Sequence, residues 1–394
     1  MIKSGLTIVA DENMPALEPL FGHLGSLVRL PGRSMTPDDL KQADILLVRS
    51  VTQVGEELLR DSQVKFVGTA TIGTDHIDQA WLQQAGIAFA SAPGCNADAV
   101  VDYVLSVCFH LAREQTFDLR DRTFGVVGEG NVGGRLVQRL RAMGVQVLVC
   151  DPPKAREQAV DVVVESAVTS SVDSVKRVDL PTLLAQADII SLHTPLTHDG
   201  EDPTWHLLGA DQLAVLRTGT ILINTARGPI IDNQALLQVA RQRCDLTLIL
   251  DVWEQEPVVD PELAALCRIA TPHIAGYSLD GKIRGSWMLY QALGQWLGRE
   301  PEITLQSVLP PAAFNQVVLG QGADALQLMQ LLYDPHRDDR ALRATLHLPP
   351  DERVKAFDHL RKSYPERREF ATLSLSGDIS SAQRRELTAV GFRL

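Results

Sequence analysis

The sequence has few cysteines, no excess of basic residues and no long hydrophobic run. Its five cysteines are odd in number and none lies in a CxxC pair, which argues against both a disulfide framework and a zinc site. The formal net charge is -12, so we expect no nucleic-acid partner, and local donors must hold any anionic ligand. No segment reaches the roughly 18 apolar residues of a membrane span, and the first apolar run is too short for a signal peptide. We therefore expect a protein of the reducing cytoplasm without a membrane partner.

The first hundred residues repeat a pattern of strand and helix. Short apolar runs, "LTIVA", "ADILLVRS" and "VKFVGTA", are each followed by a segment with helical character. Alternation of strand and helix predicts a parallel sheet. A chain of 394 residues with 45% hydrophobic and 22% charged residues is long enough for two or three such domains.

A long predicted helix, residues 96 to 115, precedes a second alternation of this kind. Six nearly unbroken apolar runs follow it, as expected for strands covered on both faces; they are "TFGVVG", "VQVLVC", "ADIISLH", "TGTILIN", "LTLILDVW" and "CRIATPH". We expect an α/β fold with two Rossmann-like, doubly wound parallel-sheet lobes and a small C-terminal α/β domain.

The domain boundaries are placed where the pattern changes. The first predicted lobe comprises residues 1–95, and the second comprises 96–278. A proline-rich stretch, 300 to 311, indicates a linker into a C-terminal domain of residues 299–394. Residues 161 to 179 lack helical periodicity and are interpreted as a surface connection of no assigned function.

The strongest local motif is "GEGNVG", in which Gly128, Gly130 and Gly133 form G-x-G-x-x-G between a strand and a helix. The first glycine permits the tight turn, the second admits a pyrophosphate, and the third allows the helix to pack on the strand. Asp151 ends the next strand, where a carboxylate binds the adenosine ribose and repels the phosphate of NADP. We therefore predict NAD, although Lys154 and Arg156 lie nearby. The expected cofactor-binding residues are Gly128, Gly130, Asn131, Val132, Gly133, Asp151, Thr194, Thr225, Ala226, Arg227, Asp251 and Gly276.

Ionisable residues follow three later strands of the same predicted sheet. Arg227 follows "ILIN", Asp251 and Glu256 follow "LIL", and His273 follows "IATP". Because ligands of open α/β sheets bind beyond the carboxyl ends of the strands, these residues should converge on the cofactor.

Together these residues fit oxidation of an alcohol. His273 can accept the hydroxyl proton while Glu256 supports its far ring nitrogen, and Arg227 can bind a substrate carboxylate through two hydrogen bonds. Taken singly, each has an ordinary structural reading, such as a turn cap or a solvated loop residue. No metal is expected for this chemistry.

The motifs "GEGNVG", "NTARG", "LDVWEQEP" and "PHIAG", in this order, resemble the D-isomer-specific 2-hydroxyacid dehydrogenases over roughly residues 5 to 295. The resemblance implies a catalytic trio of Arg227, Glu256 and His273, with Asp251 near the nicotinamide carboxamide. It also implies two lobes: a substrate-binding lobe of residues 1–95, completed by 279–298, and an NAD-binding domain of residues 96–278.

Further stretches resemble one branch of that family, which acts on a small phosphorylated 2-hydroxy acid and dimerises through an extra C-terminal domain. They include "VRSVT", "VGTATIGTDHID", "APGCNADAVVDYV" and "HIAGYSLDGK". This resemblance assigns Ser50, Thr71 and Tyr277 to the substrate and implies a homodimer. Arg49 is a separate hypothesis for a phosphate partner, and a surface arginine is an equally good interpretation of it.

Two alternatives remain open from the sequence. The same trio would serve a 3-phosphoglycerate dehydrogenase or any other D-2-hydroxyacid dehydrogenase. A protein of a different class, an NAD-sensing corepressor, would keep the dinucleotide turn and use the C-terminal domain to bind a protein.

Overall fold

The computed structural model describes residues 5–157, 175–320 and 322–394. These residues form two compact units: the first comprises Met1–Asp98 and Tyr277–Ala313, and the second comprises Ala99–Gly276 and Phe314–Leu394. The predicted connection at 161 to 179 lies largely outside the described residues. The predicted division into three domains remains a prediction.

The strands are β1 (Leu6–Asp11), β2 (Gly25–Leu30), β3 (Ile45–Val48), β4 (Phe66–Thr69), β5 (Ala88–Ser91), β6 (Thr123–Val127), β7 (Gln146–Cys150), β8 (Lys176–Arg177), β9 (Ile189–Leu192), β10 (Ile221–Asn224), β11 (Thr247–Leu250), β12 (Ile269–Ala270), β13 (Gln316–Leu319) and β14 (Ser374–Gly377). The α-helices whose two ends are described are α1 (Leu17–Phe21), α2 (Pro37–Leu40), α3 (Glu56–Leu59), α4 (Gln79–Gln84), α5 (Ala97–Glu114), α6 (Asn131–Ala142), α7 (Leu180–Gln186), α8 (Ala210–Ala214), α9 (Asn233–Gln242), α10 (Pro261–Leu266), α11 (Leu279–Trp296), α12 (Leu305–Val308), α13 (Ala325–Leu332), α14 (Pro335–Arg343), α15 (Pro350–Lys362) and α16 (Ser381–Val390).

The first unit is a five-stranded parallel sheet in the order β2-β1-β3-β4-β5. Strand β3 is buried along its whole length because helices cover both faces of the sheet. Helix α11 packs on one face through Leu289 and Leu293, which share a core cluster with Ile8 and Leu47. On the other face a second cluster includes Leu46.

The second unit is built on a seven-stranded parallel sheet in the order β12-β11-β10-β9-β6-β7-β8. The last residues of six strands pair in one level row across this sheet: Cys150, Val127, Leu192, Asn224, Leu250 and Ala270. The loops that follow these six strands therefore start side by side at the carboxyl edge of the sheet. The predicted α/β fold with parallel sheets is confirmed.

The C-terminal part of the chain packs against the seven-stranded sheet within the second unit. Leu342 of α14 and Phe357 of α15 belong to its core cluster, and β13 and β14 form a separate two-stranded parallel sheet. Arg343 donates hydrogen bonds to the carbonyl oxygens of Ala264 and Cys267, at 3.0 and 2.7 Å. These bonds satisfy carbonyl groups at the end of α10.

The described helices include none that combines the length and the hydropathy needed to cross a membrane.

Candidate active site

The glycine turn has the geometry that its motif predicts. Gly128 has a φ of 88°, which glycine adopts at no steric cost. A Cβ on Gly133 would overlap the carbonyl oxygen of Gly128, whereas a Cβ on Gly130 would meet open space. Helix α6 begins at Asn131 and Val132, so its amino end lies directly after the turn. A dinucleotide pyrophosphate fits this open amino end.

Two predicted cofactor-binding residues have buried hydroxyl groups without a hydrogen-bond partner among the described residues. Thr194 and Thr225 follow β9 and β10, and among the described residues neither buried Oγ1 finds a hydrogen-bond partner. A buried polar atom without a partner is costly, and a bound ligand can remove that cost. These hydroxyls, together with the glycine turn, fit the polar groups of a dinucleotide cofactor.

The surroundings of Asp151 favour NAD over NADP. Its carboxylate accepts hydrogen bonds from the backbone N–H of Glu129, at 2.7 Å, and of Lys154, at 3.0 Å. The Lys154 ammonium donates to the Glu129 carbonyl oxygen, and Arg156 pairs with Asp202. Both cations near Asp151 are therefore engaged within the protein, while the carboxylate lies against the glycine turn.

The predicted catalytic residues follow three neighbouring strands of the sheet, β10, β11 and β12. Arg227 comes three residues after Asn224, and His273 comes three residues after Ala270, and these two strand ends lie in the level row. Asp251 directly follows β11, and Glu256 lies in the loop beyond it. The sheet thus gathers the side chains at its carboxyl edge, where ligands of such sheets bind.

His273 and Glu256 form the pair that the sequence predicts. The distance from His273 Nδ1 to Glu256 Oε2 is 2.7 Å, and the other carboxylate oxygen, Oε1, accepts the Trp253 N–H at 2.9 Å. Burial alone would raise the pKa of Glu256, but the attraction and hydrogen bond of His273 and the charge of Arg361 bring it below its usual value. An ionised Glu256 fixes the ring orientation and leaves Nε2 for a substrate.

The backbone at His273 is strained and is held by Asp251. The φ of His273 is 56°, a left-handed conformation uncommon for a residue with a side chain. Its N–H donates to the Asp251 carbonyl oxygen at 2.7 Å. The buried Asp251 carboxylate accepts from Thr271 Oγ1, Ile274 N and Ala275 N, at 2.6, 2.8 and 2.9 Å. Asp251 therefore shapes the loop that presents the imidazole.

Arg227 lies at the end of a turn that Asn224 shapes. The Asn224 side chain accepts from Ala226 N, at 3.1 Å, and donates to the Arg227 carbonyl oxygen, at 2.9 Å. The Arg227 guanidinium donates to the Ala226 carbonyl oxygen at 2.8 Å, and the residue is half-buried. Gly228 lies against the Trp253 backbone so closely that a Cβ would overlap the Trp253 carbonyl group.

This contact predicts that Gly228→Ala disturbs the turn carrying Arg227. The overlap involves backbone atoms, which cannot rotate away, so we expect a loss of about 1 to 3 kcal/mol in the free energy of unfolding. Thermal unfolding measures it. Gly134→Ala is the matched control, because its nearest outside atom would be 3.6 Å away, and it should be neutral or slightly stabilising. Equal midpoints for the two variants would contradict the prediction.

Arg367 is a buried structural position that sequence reasoning missed. Its buried guanidinium donates to the carbonyl oxygens of Ala275, at 3.0 Å, and Ala99, at 2.6 Å, and lies 3.8 Å from the Tyr333 ring centroid. It thereby connects the C-terminal part to the loop that follows His273 and to the start of α5. In the sequence "PERREF" nothing distinguishes a buried arginine from an exposed one, so no sequence signal was available.

The predicted substrate residues lie in the first unit. Ser50 is exposed, whereas Thr71 Oγ1 donates to the Gly73 carbonyl oxygen at 2.7 Å. Arg49 and Tyr277 are brought together, with the guanidinium carbon 5.9 Å from the ring centroid. Lys282, which sequence reasoning did not single out, lies over the same ring at 4.5 Å.

The parallel sheets, the glycine turn and the His273–Glu256 pair define a class: NAD-dependent dehydrogenases that act on 2-hydroxy acids. Residues 106–275 match the NAD binding domain of the D-isomer specific 2-hydroxyacid dehydrogenases. Residues 308–391 match a domain of unknown function (DUF3410).

Relatives that match almost the whole chain carry the name of one particular enzyme of this class. An erythronate-4-phosphate dehydrogenase of Pseudomonas fluorescens is 50% identical over 394 residues, which cover 98% of this chain and 100% of that protein. A protein of the same name from Azotobacter vinelandii is 50% identical over 379 residues, covering 95% and 96%. NAD-bound 3-phosphoglycerate dehydrogenase of Entamoeba histolytica has a similar structure, with a TM-score of 0.60 and 25% identity, covering 75% of this chain and 96% of that one.

The chain therefore belongs to the D-isomer specific 2-hydroxyacid dehydrogenase family, among relatives that carry the name erythronate-4-phosphate dehydrogenase. The predictions of an NAD-dependent dehydrogenase and of NAD as cofactor are confirmed. The assignment of individual site residues remains a prediction.

Proposed function

We propose that the protein oxidises the C2 hydroxyl of 4-phospho-D-erythronate to (R)-3-hydroxy-2-oxo-4-phosphooxybutanoate, a step of pyridoxal phosphate synthesis. The observation that carries the chemistry is the 2.7 Å contact between His273 and Glu256 at the carboxyl edge of the NAD-binding sheet. The substrate is inferred from relatives 50% identical over almost the whole chain.

Bound NAD, held by the glycine turn and Asp151, would supply the two-electron oxidant that takes the hydride from C2 of the substrate. The hydroxyl proton passes to His273 Nε2, and the Glu256 carboxylate stabilises the resulting imidazolium. Arg227 binds the substrate carboxylate and offers positive charge to the developing carbonyl oxygen. No proton remains unassigned and no further oxidant is needed.

The glycine turn and the start of α6 are proposed to bind the pyrophosphate, through Gly128, Gly130, Asn131, Val132 and Gly133. Asp151 is proposed to bind the adenosine ribose. The remainder of the cofactor is proposed to contact residues that follow later strands of the sheet: Thr194, Thr225, Ala226, Asp251 and Gly276.

Residues of the first unit are also proposed as substrate-binding residues. Ser50, Thr71 and Tyr277 offer hydroxyls, and Arg49 and Lys282 place two cations at the Tyr277 ring. In a chain with a net charge of -12, such a local pair of cations is a suitable partner for a phosphate.

A substrate comparison tests the proposal. Purified protein with NAD should form NADH faster, at equal concentration, with 4-phospho-D-erythronate than with 3-phosphoglycerate. The reverse preference would assign the protein to the phosphoglycerate dehydrogenases within the same family. Inactivity on every phosphorylated 2-hydroxy acid would favour an NAD-sensing regulator and would contradict the proposed function.

We also propose a cytoplasmic homodimer that forms through the C-terminal domain, residues 299–394. Exposed apolar side chains in this region, Val318 at 75% and Leu331 at 52%, support an interface there, and the free thiols suit a reducing compartment. Light scattering of the full chain should give about twice the monomer mass of 43.1 kDa. A monomer mass at micromolar concentration would contradict the dimer.

A further inference from the structure

A second cluster of ionisable side chains lies at the opposite edge of the seven-stranded sheet. It comprises His110 and Glu114 from the end of α5, and Asp334 and His336 from the start of α14. Arg268, which pairs with Glu114 at 2.7 Å, directly precedes β12, whereas His273 follows that strand. The cluster is therefore separate from the catalytic trio.

His110 supplies the observation that points to a ligand. Its side chain is 8% exposed, and within the described part of the chain its buried Nε2 has no hydrogen-bond partner. A native protein seldom leaves such an atom unsatisfied. Asp334 Oδ1 is the nearest charged atom, at 3.7 Å, which is too long for a hydrogen bond.

The spacing of the cluster suits a metal ion. His336 Nε2 lies 3.5 Å from Glu114 Oε1, and one ligand atom each from His110, Asp334 and His336 fall within 4.8 Å of one another. Two ligands of a tetrahedral zinc ion, each about 2.0 to 2.1 Å from it, lie about 3.4 Å apart. The pairs His110–Asp334, at 3.7 Å, and His336–Glu114, at 3.5 Å, are thus close to the separation of two ligands on one ion and longer than ordinary hydrogen bonds.

Local charges also favour a cation. His110 and Glu114 are four residues apart, so they share one face in the last turn of α5, where the helix dipole attracts positive charge. Arg268 donates a hydrogen bond to Glu114 Oε2, and the other carboxylate oxygen, Oε1, faces His336. Asp334 Oδ1 caps α14 by accepting the His336 N–H at 3.0 Å, which holds the two residues in position.

We propose that His110, Asp334 and His336 bind one divalent transition-metal ion, with zinc as the best fit to two imidazoles and a carboxylate. Glu114 faces His336 through Oε1 at 3.5 Å and adds negative charge beside the ion. The site connects α5 to α14, and so attaches the C-terminal part to the NAD-binding part, which makes the role structural. The cysteine pattern excluded a thiolate zinc site, and this site contains no thiolate.

A second group, His206, Asp232 and Glu254, serves as an internal comparison. Its histidine contacts Glu254 through Nε2 at 2.7 Å, and Asp232 faces the other ring nitrogen at 3.7 Å. Because the two carboxylates face different nitrogens, one ion cannot bind all three residues in this arrangement. We therefore expect it to be an ion-pair network.

Zinc binding by the full chain tests the proposal. Metal-free protein, prepared with a chelator, is titrated with Zn²⁺ alone by calorimetry, and one equivalent should bind. His336→Gln and Asp334→Asn should each weaken binding about tenfold or more, because each removes a ligand. Both residues are partly exposed, so these variants should fold. His347→Gln, at an exposed position, and His206→Gln should bind zinc as the wild type does.

Thermal unfolding supplies the second readout. Stoichiometric Zn²⁺ should raise the midpoint of the wild type and of His206→Gln by a few degrees, and should not raise that of His336→Gln. The absence of stoichiometric binding by the wild type, or unchanged affinity in His336→Gln and Asp334→Asn, would overturn the proposal. If His206→Gln weakened zinc binding and His336→Gln did not, the metal would bind at the cluster of His206, Asp232 and Glu254 instead.

Discussion

His273→Ala is expected to lower kcat by about 10²- to 10⁴-fold, with little change in the affinity for NAD. The variant removes the base that accepts the hydroxyl proton, and positioned proton transfer contributes a factor of this size. Steady-state NADH formation measures kcat, and quenching of protein fluorescence by NADH measures cofactor affinity. A loss of less than about fivefold in kcat would show that another group takes the proton.

A second variant separates chemistry from folding at this position. His273 has a φ of 56°, and asparagine tolerates that conformation better than alanine does. His273→Asn should therefore keep the loop conformation and still lose the base, so its kcat should be as low as that of the alanine variant. His347→Asn, far along the chain and exposed, should leave activity unchanged. Restored activity in His273→Asn would indicate a structural role for the imidazole.

Arg227→Lys is expected to cost about 2 to 4 kcal/mol of transition-state stabilisation, a loss of about 30- to 1000-fold in kcat/KM. Lysine keeps the charge but cannot form two parallel hydrogen bonds with a carboxylate. Because Arg227 is proposed to bind the substrate and to stabilise the developing carbonyl, we expect KM to rise and kcat to fall. Kinetics at saturating NAD measures both quantities.

Arg241→Lys is the matched control for this substitution. Arg241 lies on α9 in the same unit and pairs with Glu262 on the surface, 43% exposed. Its replacement should leave kcat/KM within about twofold of the wild type, since surface substitutions of this kind have small effects. Near-normal kcat/KM in Arg227→Lys would show that a different residue binds the substrate carboxylate.

The sequence predicted the buried strands better than the edge strands. All six apolar runs after residue 115 correspond to strands, because a strand covered on both faces is apolar throughout. Four strands were missed: β2, β5, β8 and β13. Strand β5 is half-buried throughout, and most positions of the other three are half-buried or exposed. All four lie at sheet edges, where the apolar pattern is weak.

The sequence predicted the residue types of the candidate site, but it did not predict the backbone conformation and the hydrogen bonds that hold these residues in place. A histidine, a carboxylate and an arginine after successive strands indicated the chemistry, because parallel strand ends share one edge. The left-handed backbone of His273 and the three hydrogen bonds to Asp251 depend on the folded loop. The buried Arg367 and the contact of Arg49 with Tyr277 join residues far apart in the chain, which one sequence does not reveal.

The kcat of Glu256→Gln, measured as NADH formation at saturating NAD and substrate, tests the central claim most directly. Glu256 lies 2.7 Å from His273 Nδ1, where its negative charge stabilises the imidazolium that forms when His273 accepts the hydroxyl proton. Glutamine keeps the shape of the side chain and removes the charge. We therefore expect kcat to fall about tenfold or more, with the affinity for NADH unchanged. A kcat within about twofold of the wild type would contradict the proposed role of the pair.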